Sequence, residues 1–213
     1  MIEVKRFVCN MLQENTYVVS DGGGKAAVID CGALYEEERA AVTAYIRQRG
    51  LEVVHLLCTH GHFDHNFGND TIWDTFHLKP EVAAEDEGLM EMKRQVSDMV
   101  GIDYWRPVPP VGHLLRDGER LSIGTLQLEV LPTPGHTPGS VTFYSEAEGV
   151  AFTGDTLFRL SIGRTDFEGG SWTDMSNSLR NVLGKLPADT KVYPGHGEPT
   201  TIGDELRYNP YMR

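Results

Sequence analysis

Basic residues are scarce in this chain. Only 19 Lys and Arg stand against 31 Asp and Glu, a formal net charge of −12. They form no run of positive charge of the kind that tracks a phosphate backbone, so nucleic acid is not an expected partner. Cysteine is scarcer still. Cys9, Cys31 and Cys58 make an odd three with no CxxC spacing, which disfavours both a disulfide framework and a structural zinc cluster. Each lies in or beside an apolar, strand-like run and reads as a small buried hydrophobe in a reducing compartment. Long apolar stretches are also missing. No segment approaches the roughly 20 residues of a transmembrane helix, and Met1-Ile2-Glu3-Val4-Lys5-Arg6 lacks the apolar segment of a signal peptide. These absences predict a cytoplasmic protein with no membrane partner.

The composition that remains is that of a globular chain. With 213 residues, 40% of them hydrophobic, it can bury a sizeable core, and it is expected to form one domain over residues 1–213. Short strands are predicted at Val4–Cys9, Asn15–Ser20 and Lys25–Cys31, joined in an antiparallel meander through Gly22-Gly23-Gly24. Tyr35–Arg49 reads as a helix, with Glu36-Glu37-Glu38 in its first turn and Gly50 as its stop. Val53–Cys58 is an apolar run typical of a buried strand, with His55 as a core or edge histidine. Helices are predicted from Asn66 to Phe76 and from Glu81 to Val100, the second with a solvated charged face. Leu121–Val130 reads as a hairpin, and Val141–Tyr144 and Gly149–Phe152 as strands. A helix is expected from Ser171 to about Lys185, with Trp172, Met175, Leu179, Val182, Leu183 and Leu186 on its apolar face. Lys191-Val192-Tyr193 is a last short strand. Strands, helix, strand and a loop-borne site recur once in each half, which predicts an α/β fold with four layers, α/β/β/α: two mixed β-sheets flanked by helices.

The densest chemistry lies at Thr59-His60-Gly61-His62-Phe63-Asp64-His65, where three imidazoles and a carboxylate fall together. Alternate residues of an extended segment share a face, so His60, His62 and Asp64 can converge; His65 joins them if the backbone turns there. Imidazole and carboxylate suit a borderline divalent ion. Three further loops follow apolar strands and offer one group each: His136 in a Pro/Gly-rich loop, Asp155 after Thr153-Gly154, and His196 in Pro194-Gly195-His196-Gly197. Seven ligands exceed what one tetrahedral ion takes but suffice for two ions sharing a carboxylate and a water. Asp30, at the end of a buried run, reads equally as a turn residue or as an acceptor for the ring N–H of a ligand histidine.

The His60-Gly61-His62-Phe63-Asp64-His65 motif, Gly135-His136-Thr137, Gly154-Asp155 and Gly195-His196-Gly197, in that order, resemble the metallo-β-lactamase fold superfamily. The runs Pro132 to Ser140 and Phe152 to Phe158, with Gly163-Arg164 and Phe167-Glu168-Gly169, are similar to its glyoxalase II-like hydrolases of the short, single-domain type. The resemblance implies that His60, His62 and His136 bind one metal, that Asp64, His65 and His196 bind a second, and that Asp155 bridges them. The expected cofactors are two divalent ions, zinc foremost, with iron or a mixed pair as the other choice. The expected reaction is cleavage of a small acyl thioester (S-2-hydroxyacylglutathione-like) or related ester by a metal-bridging hydroxide, with Asp64 and Asp155 catalytic and Arg164 holding a substrate carboxylate. Related zinc β-lactamases carry cysteine where this chain has Asp155, and flavodiiron oxygen reductases carry an acid where it has His62, so both are less similar. The alternative is a mononuclear iron enzyme like the persulfide dioxygenases, in which His60, His136 and Asp155 would form a facial triad.

Overall fold

The computed structural model describes residues 1–91, 101 and 106–213. Two six-stranded sheets are present. The first is built from β1 (Glu3–Cys9), β2 (Glu14–Ser20), β3 (Lys25–Ile29), β4 (Glu52–Leu57), β5 (Pro80–Ala83) and β6 (His113–Leu115), paired in chain order. The second takes its strands from β7 (Arg120–Ile123), β8 (Leu126–Pro132), β9 (Val141–Ser145), β10 (Val150–Gly154), β13 (Lys191–Pro194) and β14 (Thr200–Thr201), in the order β14-β13-β10-β9-β8-β7; β11 (Leu157–Phe158) and β12 (Ser161–Ile162) form a separate small ribbon. Both large sheets are mixed. β1-β2-β3 is antiparallel and β3-β4-β5-β6 parallel, while β10 and β13 are the parallel pair of the second sheet.

The alternation of side chains along each strand explains the layers. Tyr17, Val19, Ala27 and Ile29 point inward and pack against Leu128, Val130, Phe143 and Phe152 of the opposite sheet. Their neighbours Val18, Ala26 and Val28 point outward, against Val42 and Ile46 of helix α1 (Glu36–Gln48) and Ile72 of helix α2 (Asn69–Phe76). On the far side Val192 and Leu157 are covered by Met175, Leu179 and Leu183 and by Ile202 of the helix Ile202–Tyr208. The expected two mixed sheets between helices are therefore observed. The three cysteines are buried thiols; burial pushes the Cys9 thiol up to about 12, which disfavours its reactive thiolate. Among the described residues no helix is long and apolar enough to cross a membrane.

Several local expectations are corrected. Strand β3 stops at Ile29 rather than Cys31, because Asp30 takes a left-handed φ of 47°. The helix expected from Glu81 is a strand at its start: Pro80–Ala83 pairs in parallel with β4 and β6, and a 3₁₀ turn, Ala84–Asp86, follows. Asp86 is fully buried there, not part of a solvated face. A helical stretch occupies 87–91, and residues 92–100 of that expectation lie outside the described residues. The helix after Ser171 is α-helical over Trp172–Asn177, widens to a π turn over Ser178–Val182 and tightens to 3₁₀ over Leu183–Lys185. Trp172 is half exposed, because it sits in the first turn and its ring meets Tyr211 edge-on rather than the core. The helix Ile202–Tyr208 has no counterpart in the sequence reading.

Candidate metal centre

Each of the four ligand loops leaves the end of a strand, and all four ends lie together: His60 after β4, His136 after β8, Asp155 after β10 and His196 after β13. Beyond β4 the chain bends at Thr59 and His60, is extended at His62 and then turns in the 3₁₀ segment Phe63–His65. That turn brings Asp64 and His65 to the centre despite their adjacency. Asn66 fastens it, its side-chain amide donating to the carbonyls of His60 and His62 at 3.1 and 2.6 Å. The loop around His136 is fastened by the next helix. Ser178 Oγ donates to Pro134 O at 2.7 Å, and a Cβ on Gly135 would lie 2.4 Å from the Met175 backbone.

The ligand atoms fall into overlapping groups within 4.8 Å: His60, His62 and His136; Asp64, His65 and His196; and His60, His65 and Asp155. Asp155 stands between the first two. Its Oδ1 is 3.2 Å from His65 Nε2, and its Oδ2 is 3.5 Å from His136 Nε2 and 3.6 Å from His196 Nε2. Asp64 Oδ2 is 3.4 Å from His196 Nε2 and 3.7 Å from His65 Nε2. Asp30 is settled as the acceptor for a ligand ring: it takes the His65 Nδ1 proton at 3.0 Å and also accepts from Thr59 N and Thr59 Oγ1, both at 2.7 Å.

These outer partners fix the tautomers. Thr59 Oγ1 gives its proton to Asp30, so it accepts from His60 Nδ1 at 3.0 Å. His136 Nδ1 donates to the carbonyl of Arg164 at 2.7 Å, and His196 Nδ1 donates to the carbonyl of Leu12 at 3.0 Å. All four rings, His65 included, spend Nδ1–H outward and turn Nε2 to the centre. There the nitrogens crowd: His62 Nδ1 is 2.8 Å from His136 Nε2, and His65 Nε2 is 3.3 Å from His196 Nε2. Lone pairs at these separations repel unless a proton or a cation lies between them. His60 Nε2 and Asp155 Oδ1 are buried and make no hydrogen bond. A buried polar atom without a partner is costly, and these two point where an ion would be bound. The donor set thus fits a binuclear metal site.

The electrostatics agree. Burial, reinforced by His136, pushes His62 down to about 4, and burial holds His60 well below the ordinary imidazole value. Burial opposes ionisation of Asp155, yet His65 and its neighbours outweigh it and hold the carboxyl well below the usual range. His65 is likewise opposed by burial, but Asp155, Asp64 and Asp30 raise it well above its ordinary value. A further buried acid, Glu14, falls just before the strand expected from Asn15 and drew no attention in the sequence. It accepts from Thr16 Oγ1 at 2.8 Å, lies beside Asp30 and His65, and is pushed well up by burial.

The mouth is aromatic. Phe167 stands edge-on to His62 and His136 at 5.8 and 6.2 Å, and Phe158 edge-on to His196 at 5.8 Å. Arg164 contributes its backbone to the centre, through His136. Its side chain is exposed, pairs with Asp166 at 2.8 and 2.9 Å, and lies 4.2 Å over the Phe167 ring.

A family model of the metallo-beta-lactamase superfamily matches residues 9–196. The chain is 35% identical to a hydroxyacylglutathione hydrolase of Haemophilus influenzae, over 94% of this chain and 93% of that protein. Among solved structures, the B3 metallo-beta-lactamase BLEG-1 superposes with a TM-score of 0.87 at 34% identity, covering 100% of this chain and 99% of its own. A protein solved in a di-iron-bound form superposes with a TM-score of 0.86 at 36% identity, covering 98% and 100%.

Proposed function

The chain belongs to the metallo-beta-lactamase superfamily, and from that premise we propose that it is a binuclear metal-dependent hydrolase of small acyl thioesters or related esters. The observation that carries this reading is the position of Asp155, whose two carboxylate oxygens lie within 3.6 Å of ligand nitrogens from both histidine groups. In this reading His60, His62 and His136 would hold one ion and Asp64, His65 and His196 the other, with Asp155 available to both. Zinc is the proposed occupant, with iron or a mixed pair as the outcome that the di-iron relative favours.

Bound there, two divalent ions would supply Lewis-acid polarisation of an acyl oxygen and a water acidic enough to ionise near neutral pH. The chain's own residues orient the reactants. Asp64 and Asp155 turn carboxylate oxygens into the centre, where they can accept a hydrogen bond from a water and aim its lone pair at the acyl carbon. The outward Nδ1–H bonds of His60, His65, His136 and His196 hold the rings so that this geometry costs no reorganisation. Phe158 and Phe167 wall the approach and exclude water from one side of it. The relative from H. influenzae supports a thioester as the substrate, and Arg164 is the proposed contact for a substrate carboxylate when it releases Asp166.

The test is metal quantification on protein purified without added metal, coupled to assays with S-lactoylglutathione, a β-lactam, and a persulfide with oxygen-uptake detection. Two ions per chain and thioester turnover are expected, and Asp155→Ala should lose both together. Turnover confined to the β-lactam would move the reading to the chemistry named for BLEG-1. One iron per chain with oxygen uptake would move it to the mononuclear alternative.

A further inference from the structure

One buried carboxylate outside the ligand set holds two of the ligand loops at once. Asp86 ends the 3₁₀ turn Ala84–Asp86 that follows β5. Its Oδ2 accepts from the Gly61 backbone N–H at 2.8 Å and from Thr137 Oγ1–H at 2.6 Å, and its Oδ1 accepts from the Gly139 backbone N–H at 2.8 Å. Gly61 separates His60 from His62, and Thr137 adjoins His136. Both glycines are close-approach positions: a Cβ on Gly139 would come within 2.6 Å of Asp86 Cγ, and one on Gly61 within 2.7 Å of the Asp86 carbonyl oxygen. The second histidine group is oriented by other atoms, His65 by Asp30 and His196 by the carbonyl of Leu12.

We infer that Asp86 is the positioning residue of the His60/His62/His136 group, setting the separation of the loops that carry it. The inference rests on the ligand assignment proposed above. A buried carboxylate needs its full set of donors, and here each donor lies on a ligand loop, so the loops cannot drift apart without stranding the charge. Asp86→Asn replaces one acceptor oxygen by an amide N–H₂, which faces a donor instead of accepting from it. Asp86→Ala removes all three bonds. Neither touches a residue bound to His65, Asp64 or His196.

The experiment is zinc titration of the metal-free protein against a chromophoric chelator, with urea unfolding of the same samples. Wild type should take two equivalents. Asp86→Asn and Thr137→Val should weaken one of them by about 10- to 100-fold and leave the other unchanged. Thr137→Ser keeps the hydroxyl and should restore wild-type binding. Should Asp86→Ala fail to fold, the two milder variants carry the test. Unchanged binding of both equivalents in the variants, or equal weakening of both, would overturn the positioning role. A wild type that takes one equivalent would sink the binuclear reading instead, and Asp86 would then be judged on whether its variants weaken that one.

Discussion

At Gly195 the chain passes so close to the centre that a single methyl group decides the geometry. A Cβ there would meet Asp155 Oδ1 at 2.3 Å and His65 Cε1 at 2.7 Å. The backbone cannot yield, since Gly195 N–H donates to Gly154 O at 2.8 Å and its carbonyl accepts from Asn15 N–H at 2.7 Å. Gly195→Ala should therefore displace the shared carboxylate, lower metal content and reduce kcat/KM by roughly 100-fold, the scale of a 1 Å misplacement; full metal and activity in the variant would refute the close packing. Arg164 poses a different question. Its exposed pair with Asp166 is worth little in stability, but it occupies the guanidinium. Asp166→Ala should lower KM for an anionic thioester several-fold at unchanged kcat, and added salt should erase the gain. The convergence of the His and Asp side chains was legible in the sequence because such clusters after apolar runs have few other uses. The pairing of Arg164 was not, because two residues in a loop reveal their mutual orientation only through the backbone. Asp86 was hidden further: its partners lie 25, 51 and 53 positions away, and its neighbours Glu85 and Glu87 made it look solvated.

Strand β4 shows the same limits at the level of elements. Its apolar run predicted a buried strand ending at the site, and it is one. His55 in its middle was read as a core or edge histidine; its Nδ1 meets Glu81 on β5 at 2.7 Å, and its Nε2 lies 3.3 Å from Ser122 O on β7 of the other sheet. The hydrogen bond to Glu81 raises the His55 pKa above its ordinary value of 6.5 despite partial burial. A histidine raised on folding stabilises fully below its unfolded pKa and loses that contribution as pH climbs through the folded one. Wild type should therefore be more stable at pH 6 than at pH 8 relative to His55→Gln, by about 1 kcal/mol for a half-buried charge-assisted bond. Urea midpoints of both proteins at both pH values measure it, and an identical pH dependence in the two would remove the pair from the account. The elements that escaped the sequence are short or shaped by distant partners. Pro80–Ala83 becomes a strand because β4 and β6 flank it, and Ile202–Tyr208 is too short for its periodicity to stand out, although Thr201 caps it with a bond to Asp204 N–H at 3.2 Å.

For the whole molecule, the candidate ligand set draws on two separately built layers. His60, His62, Asp64 and His65 follow β4 of the first sheet, while His136, Asp155 and His196 follow strands of the second. Between the sheets lies an apolar contact built from none of these side chains. At the rim, His62 Nδ1 lies 2.8 Å from His136 Nε2 and His65 Nε2 lies 3.3 Å from His196 Nε2, and His60 Nε2 and Asp155 Oδ1 are buried without hydrogen bonds. Ions bound to the native state alone, as proposed, would partner these atoms and join one sheet to the other. At a free concentration 1,000 times its dissociation constant, each bound ion would add about 4 kcal/mol, or about 8–16 °C in Tm for a chain of this size. Chelation should lower Tm by that amount with the fold retained, as judged by an unchanged far-ultraviolet circular dichroism spectrum before the transition, and readdition should restore it. Asp155→Ala, lacking the carboxylate common to both groups, should show most of the fall before any chelator is added and little response afterwards. An Asp155→Ala protein whose Tm still rises fully with metal would mean that the two sheets are joined through a different set of ligands.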